Sequence, residues 1–345
     1  MLESSAFVSV IIPTKNEEKH ISSCIESLEK SDYPKDKFEL IVIDGGSVDK
    51  TVDIVKKLQK KYGNIRLICA DGANTSVGRN IGIKNAAGDI IINFSSHALA
   101  EKDFIRVLST KLQCSEKSIV GVGCKDKIPV DQPSSIAKYV DCITSTKLGG
   151  TMMHQHMQLH REQFADSISF TAYRRKIFGE VGFFDPALPS GDDAELNSRI
   201  RKAGYKLLYT PATCVYRYRR EKLKGFFWQM FNYGQSRMRI SKKHPSSIRL
   251  VYLIPALFVV YLLTLLTLPF LNNTMLLTVW GSGIFIYFLL LLGFSIKLSF
   301  SKKDLKLLIV CPILYFIEHF AYGLGLLLET ISFKRGSHKK GDGSE

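Results

Sequence analysis

The sequence predicts an α/β fold, a mixed and mostly parallel sheet with helices on both faces, followed by helices of membrane character. Two observations carry this. Through the first hundred residues, β-branched runs alternate with amphipathic stretches, the pattern of βαβ units whose strands are buried on both faces. From Leu250 onward the composition changes to long, uncharged apolar segments.

The elements follow in order. Phe7 to Pro13 is a strand closed by proline, and Glu17 to Lys30 a helix with Ile21, Cys24, Ile25 and Leu28 on one stripe. Phe38 to Asp44 is a second strand, Lys50 to Tyr62 a second helix, and Ile65 to Cys69 a third strand. Val77 to Ala87 is a third helix and Ile90 to Phe94 a fourth strand. In a parallel sheet ligands sit at the carboxyl ends of the strands, which puts Pro13, Thr14, Asp44 and Ser95 to His97 on one crevice edge.

Three apolar segments follow. Leu250 to Leu271 and Met275 to Ser295 are uncharged and long enough to span a bilayer. Leu305 to Leu328 is interrupted by Pro312 and by Glu318-His319, so two paths stay open for it, spanning or re-entrant. Lysines 297, 302, 303 and 306 fill the loop before it, whereas Asn272-Asn273-Thr274 is uncharged; the positive-inside rule then puts the N-terminal domain in the cytoplasm. Leu223 to His244 mixes aromatic and basic residues, as a helix lying in a membrane interface does. The expected organisation is a sheet domain over 1–221, an interfacial segment over 222–248, two to three membrane helices over 249–330, and a basic disordered tail over 331–345.

The formal net charge is +15, and its basic runs flank apolar segments, which favours anionic lipid over nucleic acid. Seven cysteines, odd in number and without a CxxC pair, fit a reduced compartment. The first residues run directly into a strand-like segment, so no signal peptide is expected. His154, His156 and His160 lack a fourth ligand at metal-site spacing and read as a flexible loop.

Four motifs in sequence order give a resemblance. Val8 to Glu18, Val42 to Thr51, Gly78 to Ile83 with Ala87-Gly88-Asp89, and Ala172 to Asn197 resemble family 2 glycosyltransferases of the GT-A fold, in the exopolysaccharide (succinoglycan-type) branch. The resemblance implies an inverting hexosyltransferase of the cell membrane, its catalytic domain cytoplasmic. It would move a sugar from a UDP- or GDP-linked donor to a lipid-linked or polysaccharide acceptor, as in cell-envelope polysaccharide biosynthesis. The alternatives are a polyprenyl(dolichyl)-phosphate sugar synthase, with polyprenyl phosphate as acceptor, and a non-catalytic membrane scaffold.

By the same resemblance Pro13, Thr14, Glu17 and Asp44 bind the nucleotide. Arg79 has the reach to join them, and Gly45-Gly46 leaves the backbone open for a close approach. Asp193 falls on the family's catalytic base, which takes the proton of the attacking hydroxyl, with Asp192 and Glu195 on the acceptor side. As a bland alternative, Asp192 caps the helix that follows. Ser95-Ser96-His97 stands where the family shows Asp-x-Asp, the site of a Mn²⁺ or Mg²⁺ ion. His97 can still ligate such an ion, whereas Ser95 contributes weakly. A site short of metal ligands would lean on Arg219, Arg220, Arg237 and Arg239 to stabilise the diphosphate.

Overall fold

The structure is a computed structural model and describes residues 6–129, 131, 134–146, 148–149, 161–188, 190–245, 250–267 and 274–337. The chain forms two compact units, Met1–Asp131 with Met152–Tyr218, and Gln132–Thr151 with Arg219–Glu345.

In the first unit, β1 (Val8–Thr14), β2 (Phe38–Asp44), β3 (Ile65–Cys69) and β4 (Ile90–Asn93) run parallel in the order β3-β2-β1-β4. The sheet continues through β8 (Ala172–Arg174), β6 (Ile119–Lys127), β9 (Lys206–Arg217) and β5 (Ala98–Ala100), with β7 (Gln163–Phe164) also on β9. Strands β5, β7 and β8 are antiparallel to their neighbours, so the sheet is mixed. Because side chains alternate along a strand, the sheet feeds two cores. Val8, Val10 and Ile12 pack with Ile21 and Ile25 of α1 (Ile21–Glu29), Val55 of α2 (Thr51–Lys61) and Phe104 of α4 (Phe104–Cys114). Ile11, Ile41, Ile43 and Ile91 pack with Ile83 of α3 (Thr75–Asn85), Ile177 of α6 (Ile177–Val181) and Leu196 of α7 (Asp192–Lys202).

The helix expected from Glu17 starts at Ile21. Asn16 sits at φ 54, in the left-handed region, and the residues after it bond to the neighbouring loop instead of to a helix. Helix α3 starts two residues before the expected Val77, because the Asn74 side chain accepts from the Val77 amide at 2.9 Å. Glycine sets how near this helix lies to the sheet: a Cβ on Gly82 would stand 2.4 Å from Ile11 Cγ2.

The second unit holds α5 (Ser135–Thr144), α8 (Leu223–Lys243), α9 (Ile254–Thr267), α10 (Thr274–Lys302) and α11 (Leu307–Ser337). Phe226, Met230 and Tyr315 share its apolar core with Val140 of α5. Helices α8 and α11 meet backbone to backbone, where a Cβ on Gly234 would stand 2.0 Å from the Tyr322 carbonyl oxygen. Among the described residues three stretches are long and apolar enough to cross a membrane, Leu250–Thr267, Thr274–Lys302 and Leu307–Ser332.

The third of these is one unbroken helix. Pro312 lies in its second turn, where it removes a single ladder bond, so the interruption expected there does not occur. Glu318 is buried inside the unit, against Gly149, which removes the objection to a carboxylate in lipid. Its neighbour His319 lies 2.9 Å from the Tyr287 hydroxyl and 3.2 Å from the Leu148 carbonyl. The tail expected from residue 331 begins within α11. Residues 338–345, the three loop histidines and Asn272-Asn273 lie outside the described residues.

Candidate active site

The carboxyl ends of β1 and β2 carry the first group of residues. Thr14 and Asp44 are register partners, both buried. The Asp44 carboxylate is 2% exposed and accepts from the Gly46 amide at 3.1 Å, the Ser47 amide at 3.0 Å and the Ser47 hydroxyl at 2.5 Å. It therefore builds the loop that follows it. The glycines read as openings for a nucleotide have backbone reasons of their own. A Cβ on Gly45 would lie 2.5 Å from the Ala73 carbonyl oxygen, and Gly46 sits at φ +85.

The loops after β1 and β2 are laced together. Ser47 accepts from the Asn16 amide, Thr51 from the Glu17 amide and Asp49 from the Glu18 amide, while Asn16 accepts from the Val48 amide. Asp49 also accepts from the Thr51 amide at 3.0 Å, just before α2. Desolvation alone raises its carboxyl, but the hydrogen bonds from the Thr51 hydroxyl and the Thr51 and Glu18 amides together outweigh it and hold the carboxyl below the usual carboxylate range.

His97 follows β4. Its Nδ1 lies 3.1 Å from Glu17 Oε1, and the Ser95 hydroxyl lies against the ring. Glu17 thus faces His97, and Pro13 lies under α3, its Cβ 3.1 Å from where a Gly78 Cβ would stand. Two groups remain open at this edge, since the buried Thr14 hydroxyl and both polar atoms of Asn93 have no hydrogen-bond partner among the described residues. Buried polar groups are rarely left so, which marks the strand ends as a place where a ligand or water completes the structure.

The second group surrounds α7. Gly191, at φ 71, turns the chain into the helix, so Asp192 is its first residue and not its cap. Its carboxylate accepts from the Ser76 hydroxyl at 3.0 Å and from Arg79 Nη1 at 2.7 Å. The same nitrogen reaches Asp193 Oδ1 at 2.9 Å, and the Arg79 guanidinium lies 5.1 Å from the Phe184 ring centre. Arg79, Asp192 and Asp193 have side chains 12%, 9% and 24% exposed. Asp193 is thus the carboxylate of the pair open to the crevice.

Burial holds the Asp193 carboxyl up at about 6; Arg79 pulls it down, Asp192 pushes it up and Arg217 pulls it down again. A carboxylate placed there changes protonation near neutrality, as a general base requires. Arg217 was not singled out by sequence. It looked like the start of a basic run, yet it ends β9 opposite Ala98, beside His97, and pairs with Asp126 at 2.5 Å.

Other expected residues have settled partners. Glu195 forms a two-bond pair with Arg199, each at 2.8 Å, and Arg199 also donates to the carbonyls of residues 181–183. Arg219 bonds Asp141, Arg237 lies 4.2 Å from the Tyr252 ring centre and Arg239 bonds Glu329, all within the second unit. Among the described residues no three His, Cys, Asp or Glu side chains form a metal cluster.

A family profile described as Glycosyl transferase family 2 matches residues 9–182. A dolichyl N-acetyl-alpha-D-glucosaminyl phosphate 3-beta-D-2,3-diacetamido-2,3-dideoxy-beta-D-glucuronosyltransferase of Methanococcus voltae is 32% identical over 339 residues, 95% of this chain and 99% of the relative. The chain belongs to glycosyl transferase family 2. Succinoglycan biosynthesis protein ExoA of Rhizobium meliloti is 29% identical over 68% of this chain and 70% of its own. Among solved structures, the mannosyltransferase PcManGT of Pyrobaculum calidifontis, in complex with GDP-Man and Mn²⁺, superposes with a TM-score of 0.67 at 15% identity, covering 95% of this chain and 88% of that one. That likeness shows a GT-A fold. This family 2 glycosyltransferase is a membrane protein by its three apolar helices and is similar to enzymes of polysaccharide and lipid-linked glycan assembly.

Proposed function

We propose that the enzyme transfers a sugar, with inversion at the anomeric carbon, from a UDP- or GDP-linked donor to a lipid-linked acceptor at the cytoplasmic face of the membrane. The observation that carries the reading is Asp193: a carboxylate 24% exposed at the start of α7, held 2.9 Å from the Arg79 guanidinium beside the more buried Asp192. The Methanococcus voltae relative, named for a dolichyl-phosphate-linked sugar, supports a lipid-linked acceptor. The lysines between α10 and α11 support the cytoplasmic side.

In this mechanism Asp193 accepts the proton of the acceptor hydroxyl while that oxygen forms a bond to the anomeric carbon. The bond from that carbon to the diphosphate oxygen breaks, and the nucleoside diphosphate leaves with its electron pair. Asp193 then returns its proton to solvent. Asp44 and Glu17 shape the nucleotide end, and the Thr14 hydroxyl and Asn93 amide offer polar contacts to the donor. Arg217 adds positive charge beside His97.

Glu17 and His97 supply one carboxylate and one imidazole, a donor set that suits Mn²⁺ when diphosphate oxygens add to it. A cation held there would neutralise charge on the leaving group. Excess EDTA separates the cases: loss of activity restored by Mn²⁺ in the wild type but not in His97→Ala supports this site, and full activity in EDTA rejects it.

Nucleotide release from a panel of nucleotide sugars, measured in membranes with native lipid extract, tests the whole reading. Wild-type protein should turn over at least one donor, and Asp193→Asn should lose at least about a hundredfold. No turnover with any donor would favour a non-catalytic scaffold.

A further inference from the structure

The N-terminal half of α3 spends its polar side chains on one distant segment. Asn74 Nδ2 donates to the Pro186 carbonyl at 2.8 Å. Asn80 donates to the Phe184 carbonyl at 2.8 Å and accepts from the Phe184 amide at 2.9 Å, a two-way bond to the backbone. Ser76 donates to Asp192, and Arg79 to both Asp192 and Asp193. Three side chains of one face of α3, together with the Asn74 cap before it, thus converge on residues 184–193, the stretch that carries Asp192 and Asp193.

We propose that Arg79 is a positioning residue for that base and not a ligand of the nucleotide: its Nη1 ties Asp192 to Asp193 and keeps the Asp193 carboxylate aimed and ionised. The proposal rests on the reading of Asp193 as the base.

The geometry supports this in three ways. One guanidinium nitrogen bridges two carboxylates, at 2.7 and 2.9 Å, so two like charges stand together only because a cation lies between them. The guanidinium is pinned from another side by the Phe184 ring, and the Phe184 backbone is itself fixed by Asn80. The helix cannot drift, because Gly78 and Gly82 seat it on Pro13, Ile11 and Ile43 without room for a Cβ at position 82. One nitrogen of this buried guanidinium is bonded at both carboxylates, so that part of its charge is committed to them. The groups that face Asp193 are Arg79 from α3, Asp192 from its own helix, Arg217 from β9 and Tyr173 from β8. Arg79 is the cation with the direct bond, so its removal changes Asp193 most.

The test uses the full-length enzyme, with kcat and donor KM measured from pH 5 to 9 for wild type, Arg79→Gln, Arg79→Lys and Asp193→Asn. Arg79→Gln should move the acid limb of kcat up by about one pH unit and lower kcat at pH 6 by at least about tenfold, with donor KM within about twofold of wild type. Arg79→Lys, which keeps a cation, should bring the limb most of the way back. Calorimetric binding of free UDP or GDP should survive in Arg79→Gln, which also shows that the fold persists. An unmoved acid limb with a donor KM or nucleotide Kd raised about tenfold or more would overturn the proposal and return Arg79 to the nucleotide. Turnover retained in Asp193→Asn would instead overturn the base assignment itself, whatever Arg79 does.

Discussion

The two ends of the crevice are built on opposite terms. At the ends of β1 and β2 the polar side chains are committed to one another: Asp44 takes three donors from its own loop, and Asn16, Ser47, Asp49 and Thr51 stitch the neighbouring loops together. At the start of α7 an acidic pair stands against a single guanidinium, and one of the two carboxyls is held near neutrality by burial. The first arrangement fixes a shape that a rigid ligand can use. The second stores electrostatic tension that a reaction can use, and such perturbed groups gather where chemistry is done. Under the proposed function, the contrast assigns geometry to the end at β1 and β2, where the nucleotide would lie, and reactivity to the α7 end.

Changes at each end should therefore fail in different ways. The largest effect comes from disturbing what the two ends share, the seating of α3 on the sheet. Gly82→Leu would place a Cβ 2.4 Å from Ile11 Cγ2 and 2.9 Å from Ile43 Cδ1. It should cost about 3 kcal/mol, seen as a lower thermal midpoint, and remove most turnover because Arg79 moves with the helix. Preserved stability and activity would show that α3 does not position the site.

Next comes the shape end. Asp44→Ala strips a buried charge acceptor from two amides and a hydroxyl, for a loss of about 2 kcal/mol in denaturant unfolding. It should raise donor KM while leaving the pH dependence of kcat where it was. A moved acid limb in this variant would erase the distinction between the ends.

The smallest effect needs no mutation. On the proposed mechanism catalysis requires the ionised form of Asp193, whose ionised fraction falls as pH drops through about 6. Between pH 7 and pH 5 the wild-type kcat should therefore fall about tenfold at saturating donor. A rate constant over that range would place the base elsewhere.

The sheet half was largely legible. Strands Phe38–Asp44 and Ile65–Cys69 have the bounds that their apolar runs announce; the first is buried along its whole length and so shows in composition alone, whereas the second, at the sheet edge, exposes Arg66 and Cys69. Asp44 at a strand end and the Asp192-Asp193 pair were also visible, the pair through its resemblance to the family's acidic motif. Their partners were not. Arg79 and Asp192 are 113 residues apart, and Asn80 and Phe184 are 104 apart. No periodicity encodes such a pairing. Gly191 likewise hid its meaning, since only its left-handed backbone shows that Asp192 enters the helix with its carboxylate turned to Ser76 and Arg79. Arg217 was masked by the basic residues that follow it, which belong to the other unit.

The central claim, direct displacement by an acceptor hydroxyl activated at Asp193, is tested most directly by the anomeric configuration of the newly transferred sugar, read from the proton coupling of the isolated product. The account predicts the configuration opposite to that in the nucleotide sugar. A product with the donor's configuration would contradict it.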